Sequence, residues 1–173
     1  MTGVLGAQLR TGRWQLVNSV SSASFSTRNF GLVRVTGHVP IVASWVDVDD
    51  AGHPSGVHAQ LDLAGIDTGN ARRDRDLRGP RLLATAQFPT MTLAACAIRR
   101  VDDGWALAGR LAARGRTVDL AVVAGPARET APGVLTVHAT TAFDRRDLGV
   151  AAPRLLIGRR VVVTIDVSFR RPE

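Results

Sequence analysis

The chain contains no lysine and no tyrosine, has one cysteine, and shows almost no helical periodicity. All 22 basic residues are arginine, a pattern of genome-wide compositional bias. The net charge of +7 and the pI near 11.5 would draw a phosphate backbone to the surface. The arginines, however, fall in scattered pairs (Arg72-Arg73, Arg99-Arg100, Arg145-Arg146, Arg159-Arg160, Arg170-Arg171), and without tyrosine there is little basic-aromatic interleaving on which bases could stack. No nucleic-acid partner is expected; the basic surface is read as bland or as attracted to anionic lipid headgroups. Cys96 has no partner for an intrachain disulfide, and its neighbours Ala94, Ala95, Ala97 and Ile98 suggest a small buried residue. No apolar run approaches the roughly 18 residues of a membrane-spanning helix. The opening MTGVLGAQLRTG lacks the basic start and apolar block of a secretory signal, so a cytoplasmic, bacterial protein is expected.

What is present is alternation with a period of two. Val57, Ala59, Leu61 and Leu63 share one phase, with His58, Gln60 and Asp62 on the other. The same holds for Leu135, Val137, Ala139, Thr141 and Phe143, and for Val161, Val163, Ile165, Val167 and Phe169. Residues 33 to 45 read as one long strand with Val33, Val35, Val39, Ile41 and Trp45 in the apolar phase and Pro40 in the other, so that it bends or lies at an edge there. Turn signals separate these runs, at Asp102-Asp103-Gly104 and Arg114-Gly115 among others. A meander of strands with one polar face must close or stack to hide its edges, and periodicity alone leaves barrel and sandwich both open. One helix is expected, from Asn70 to Arg78, with Thr68 or Asn70 as cap, Leu77 as its apolar anchor, and a strongly charged surface.

Candidate chemistry is sparse. His38, His53, His58 and His138 are dispersed over turns and polar strand phases, so no metal site is expected. Asp67, Asp74 and Asp76 cluster near a plausible cavity mouth, but Arg72, Arg73, Arg75 and Arg78 should keep them ionised in salt bridges and caps. The chain holds no glycine-rich phosphate loop, serine-centred elbow or Cys/His couple. No catalytic residue is assigned, and the chain is read as a binder, not an enzyme.

From Ala64 to Leu93 the chain reads AGIDTGNARRDRDLRGPRLLATAQFPTMTL. Ile66, Asp67, Thr68, Gly69, Asn70, Arg73, Asp74, Leu77, Arg78, Pro89, Thr90 and Thr92 stand without a gap where the YceI-like family has its own residues of the same kind. The segment resembles that family, and the resemblance runs from Trp14 to about Phe169. Gly109, Leu111, Arg114, Gly115 and Thr117 match a second family motif, and Asp144 to Gly149 a third. Departures occur as well: Val17 and Val20 replace the family's aspartate and a histidine, Asn29 replaces a second histidine, Leu82-Leu83 replaces paired aromatics, and Leu148 replaces a phenylalanine.

The resemblance implies an all-β fold, an antiparallel lipocalin-like β-barrel of about eight strands with one short helix between strands. Residues 1 to 12 would be a flexible arm and 13 to 173 the lipid-binding barrel domain. It implies that an isoprenoid or other long apolar or amphiphilic lipid is bound, for storage, transport or sequestration, with no cofactor beyond such a polyisoprenoid or quinone-like lipid. The lining residues would be Trp14, Phe25, Phe30, Val35, Trp45, Leu61, Leu63, Leu82, Leu83, Phe88, Met91, Leu93, Leu111, Leu120, Val137, Phe143, Leu148, Val163 and Ile165. Peripheral contact with an anionic membrane and a homodimer are further expectations. The alternative is a ligand-free barrel acting as a structural or interaction module, including a stress-related one.

Overall fold

The computed structural model describes residues 9–29, 32–152, 157–171 and 173. Its strands are β1 (Gly12–Leu16), β2 (Ser22–Asn29), β3 (Val33–Val39), β4 (Ile41–Val48), β5 (Pro54–Asp62), β6 (Thr90–Val101), β7 (Gly104–Ala113), β8 (Arg116–Ala124), β9 (Arg128–Ala131), β10 (Val134–Asp144) and β11 (Arg160–Arg170). All pairings are antiparallel, in the order β3-β2-β11-β1-β4-β5-β6-β7-β8-β10-β9, and β10 also pairs with β11 along its whole length, from Val134↔Arg170 to Asp144↔Arg160. That last ladder closes the sheet into a barrel. β1 and β2 together form one stave broken by the short 3-10 turn Asn18–Val20, and β3 and β4 form another broken at Pro40. Counted so, the barrel has eight staves, with β9 as an added strand on β10.

The single long strand read from residues 33 to 45 is therefore two. Proline has no N–H to give the ladder, and the Pro40 carbonyl instead accepts from the Asp62 amide at 2.9 Å. The tight return between β7 and β8 uses Arg114 (φ 55°) and Gly115 (φ 70°), the two left-handed positions that a two-residue hairpin turn needs.

The one α-helix, α1 (Ala71–Arg78), follows β5 and a 3-10 turn. Its cap is Asn70, whose side-chain oxygen accepts from the Arg73 amide at 3.0 Å. The core lies inside the barrel and is built from the inward phases of all staves, among them Leu61, Met91, Leu93, Leu107, Leu111, Leu120, Val122, Ile165 and Phe169. Thr141, in the same phase of β10, is buried too and gives its hydroxyl proton to the Ala121 carbonyl at 2.7 Å.

Candidate functional site

The barrel interior holds two apolar chambers, each of about 120 Å³. The near chamber lies under the helix. Its walls include Phe25, Leu61, Leu63, Met91, Phe143 and Val163, and Leu77, Leu82, Leu83, Leu148, Val150 and Ile157 close it from the helix and loops. The far chamber lies at the other end, among Leu9, Trp14, Val46, Leu93, Trp105, Leu107, Val122, Leu135, Val137, Ile165 and Phe169. Single staves feed both: β5 gives Leu61 to the near chamber and Ala59 to the far one, β6 gives Met91 and Leu93, and β11 gives Val163 and Ile165. Because a strand returns to the same face every second residue, the two chambers are successive levels of one interior.

Leu111 and Leu120 are only 3% and 6% exposed yet line neither chamber. Leu111 pairs across the sheet with Leu93, and Leu120 lies two residues from Val122, so both pack in the core beside the far chamber's wall. Val35 is buried and faces a groove outside the near chamber. Phe88 is half-buried on the loop before β6, against the β7–β8 turn, where a Cβ on Gly115 would meet its ring at 3.4 Å. Phe30 lies outside the described residues.

Trp45, expected inside, faces outward. Between Ile41 and Ala43 the register against β5 shifts, and this bulge at Val42 exchanges the two faces of β4, so that Ser44 and Val46 point in. Trp45 instead stacks on His58 with ring centroids 4.0 Å apart, and the Arg13 guanidinium lies 4.9 Å from the indole centroid. Cys96 is exposed and not the buried residue its neighbours suggest: it takes the outward phase opposite Met91, Leu93 and Ala95, and a second bulge, between Ala95 and Ala97, turns Ile98 inward beyond it. Val57, Leu107, Val122 and Phe169 also line the far chamber. They share alternation phases with Ala59, Leu111, Leu120 and Ile165 respectively, and that phase is the signal that marks them in the sequence.

Phe25 shows how a wall residue is seated. Its ring lies over Gly37, its cross-strand partner, and a Cβ there would come within 2.5 Å of two ring atoms. Only glycine leaves room for the ring to turn inward.

The mouth above the near chamber is fastened by arginines, though not to carboxylates. Arg73 donates to the Thr68 hydroxyl at 2.8 Å and the Thr68 carbonyl at 3.0 Å. Arg78 donates to the carbonyls of Ala64 and Ile66, both at 2.8 Å. Arg114 bridges Gly149 and Pro80 by their carbonyls. Arg145, 3% exposed and on the near-chamber wall, gives its protons to the carbonyls of Val150 (2.6 Å), Ala152 (2.8 Å), Ile157 (3.0 Å) and Gly158 (3.1 Å). Irregular loops leave carbonyls that no ladder satisfies, and guanidinium, with five donors and no acceptor, is suited to gather them.

The expected salt bridges around the helix take another form. Asp74 accepts from the Thr68 hydroxyl at 2.5 Å and the Thr68 amide at 3.0 Å, while Asp67 accepts from the Gly69 amide at 2.8 Å. The Thr68 hydroxyl, with smaller help from the Thr68 amide and the charges of Arg78 and Arg73, holds the Asp74 carboxyl below its ordinary range. Arg146 does the same for Asp144, to about 2, through its hydrogen bonds. The four histidines lie apart: His38 bridges Asp67 through backbone, His53 tilts against Trp105, His58 stacks on Trp45, and His138 meets Asp166 at 2.7 Å.

This arrangement has known counterparts. The model of the YceI-like domain matches residues 14–169. The chain belongs to the YceI-like family. BcnA of Burkholderia cenocepacia has a structure that superposes with a TM-score of 0.79 at 15% identity, over 88% of this chain and 98% of that one. A polyisoprenoid binding domain from Saccharophagus degradans superposes at 0.67 with 14% identity, over 94% and 100%. The YceI protein of Campylobacter jejuni gives 0.68 with 18% identity, over 84% and 90%. At these identities the likeness is one of fold. Among curated sequences, UPF0312 proteins of Yersinia pestis and Yersinia pseudotuberculosis are 33% identical over 61 residues, which is 35% of this chain and 32% of their own length. The match thus spans about a third of those relatives.

Proposed function

We propose that this YceI-like barrel binds, without catalysing a reaction, an isoprenoid or another long apolar or amphiphilic lipid in its interior. The observation that carries the reading is the pair of apolar chambers stacked along the inward phase of shared staves. Each methylene moved from water into such a space contributes about 0.8 kcal/mol, so an isoprenoid chain supplies ample affinity without covalent chemistry. The polar groups on the near wall are already engaged: the Thr27 hydroxyl donates to the Gly158 carbonyl at 3.3 Å, and Arg145 to its four carbonyls. They serve the wall and not a substrate. The polyisoprenoid-binding domain from Saccharophagus degradans supports the same reading by analogy of fold.

Neither chamber alone reaches the ~300–1,000 Å³ of a typical small-molecule site, so a long chain must span both and displace core side chains that now separate them. The same tightness favours the rival reading, a barrel filled by its own side chains. Mass spectrometry of an organic extract of the purified protein separates the two. A lipid at near-stoichiometric amount is the expected result; protein that is lipid-free and takes up none when offered contradicts it.

A further inference from the structure

We infer that the ligand of this barrel carries an anionic head group of the phosphate class, seated in an arginine-lined groove at the mouth of the near chamber. The inference rests on the lipid-binding reading and adds the head-group chemistry to it. The groove is bounded by Val35, the outer side of α1, the following Gly79–Leu82 turn and Ala151, Ala152 and Ile157. It shares Phe25, Thr27, Leu77, Leu82 and Ile157 with the near chamber, so the two spaces meet along one apolar throat. A molecule that leaves the chamber through that throat enters the groove. What it meets is charge of one sign: Arg72, Arg73, Arg75 and Arg81 line the groove against a single carboxylate, Asp76.

The arginines of this end divide into two sets by what they touch. Arg73, Arg78, Arg114 and Arg145, which stand at the motif positions that carry the family resemblance, spend their donors on loop carbonyls. Arg72, Arg75 and Arg81 stand between those positions, are exposed, and make no hydrogen bond or ion pair among the described residues. The first set holds the mouth together through neutral oxygens, so its charge is offset only in part, by Asp74 near Arg73 and Arg78 and by Asp144 near Arg145. The second set therefore sits in a positive field with its donors unspent. Guanidinium groups match phosphate oxygens in pairs of parallel hydrogen bonds, and a neutral alcohol or quinone offers them no comparable partner.

The test compares farnesyl monophosphate, farnesol and inorganic phosphate by calorimetric titration, each below any micelle threshold, on the wild type and on the triple variant Arg72→Gln/Arg75→Gln/Arg81→Gln. Among the described residues these side chains make no hydrogen bond or ion pair, and an unchanged melting temperature confirms that the variant is intact. The expected result is farnesyl monophosphate bound at least about tenfold tighter than farnesol at low salt, an advantage that shrinks in concentrated salt and disappears in the variant, whose farnesol affinity stays as it was. Inorganic phosphate alone should not bind in the same range. Equal affinities for the phosphate and the alcohol in the wild type would overturn the head-group inference and leave lipid binding standing. Phosphate bound as tightly as the lipid phosphate, or an advantage that survives in the variant, would also overturn it. Binding of neither lipid would remove the lipid reading itself, and this inference with it.

Discussion

The two ends of the barrel enclose chambers of equal volume, about 120 Å³, by different means. The far chamber is walled almost wholly by strand residues, with Trp14, Trp105 and Phe169 as its bulk. The near chamber is roofed by a helix and by loops that no ladder supports, and its roof depends on arginine-to-carbonyl bonds and on Thr68 with Asp74. Strand walls are held by many cooperative bonds, whereas a roof held by a few side chains can open locally at small cost. On the lipid-binding proposal, the difference would assign passage of ligand to the helix end.

Leu63→Asp should disturb this comparison most. Leu63 is 4% exposed on the near-chamber wall, and the change both removes apolar burial and brings in a carboxyl with no partner, a loss of about 4–5 kcal/mol. The variant should lose bound lipid and much of its melting temperature, while Gln60→Asp, in the outward phase of the same segment, should keep both. A Leu63→Asp protein that retains its lipid as well as the control would sink the inward assignment. Arg145→Leu should follow, at about 3–4 kcal/mol, since four carbonyls around the near roof lose their donor. Amide exchange should rise in residues 145–158 and hardly at all around the far chamber; a uniform rise would erase the contrast between the ends.

The smallest effect concerns acid. Asp144 has a folded pKa of about 2 against an ordinary 3.8, held down by Arg146, and Asp74 is depressed by Thr68. A depressed carboxyl contributes stability that is fully present above its unfolded pKa and lost as pH falls through the folded one. Melting temperature should therefore decline between pH 4 and about pH 2, and less steeply in Asp144→Asn. A decline of the same slope in that variant would place the acid sensitivity elsewhere.

Strands whose alternation runs unbroken are legible in the sequence: β5, β10 and β11 point the residues inward that their phases imply. Trp45 is not, because a bulge inserts one residue and exchanges the faces beyond it, and nothing in the composition of residues 41 to 43 marks the insertion; Cys96 faces out by plain alternation with Met91, Leu93 and Ala95, a phase that its apolar neighbours obscure. The helix, its Asn70 cap and its Leu77 anchor follow from local chemistry. The arginine contacts do not. Carboxylates adjacent in sequence are the natural partners, but Arg145 finds carbonyls 5 to 13 residues away, on a loop whose path only the fold fixes. The division of the interior into two chambers is equally hidden from the sequence, since it depends on which side chains meet across the barrel.

The three tryptophans allow the central claim, a lipid inside the barrel spanning both chambers, to be read directly. Trp14 and Trp105 line the far chamber, while Trp45 lies outside on His58. A farnesyl or longer isoprenoid analogue brominated at its chain end, added to Trp45→Phe protein, should quench the remaining fluorescence as it binds, because the chain end must reach the far chamber. Bound analogue that leaves Trp14 and Trp105 unquenched, or quenching seen only when Trp45 is present, would contradict the account.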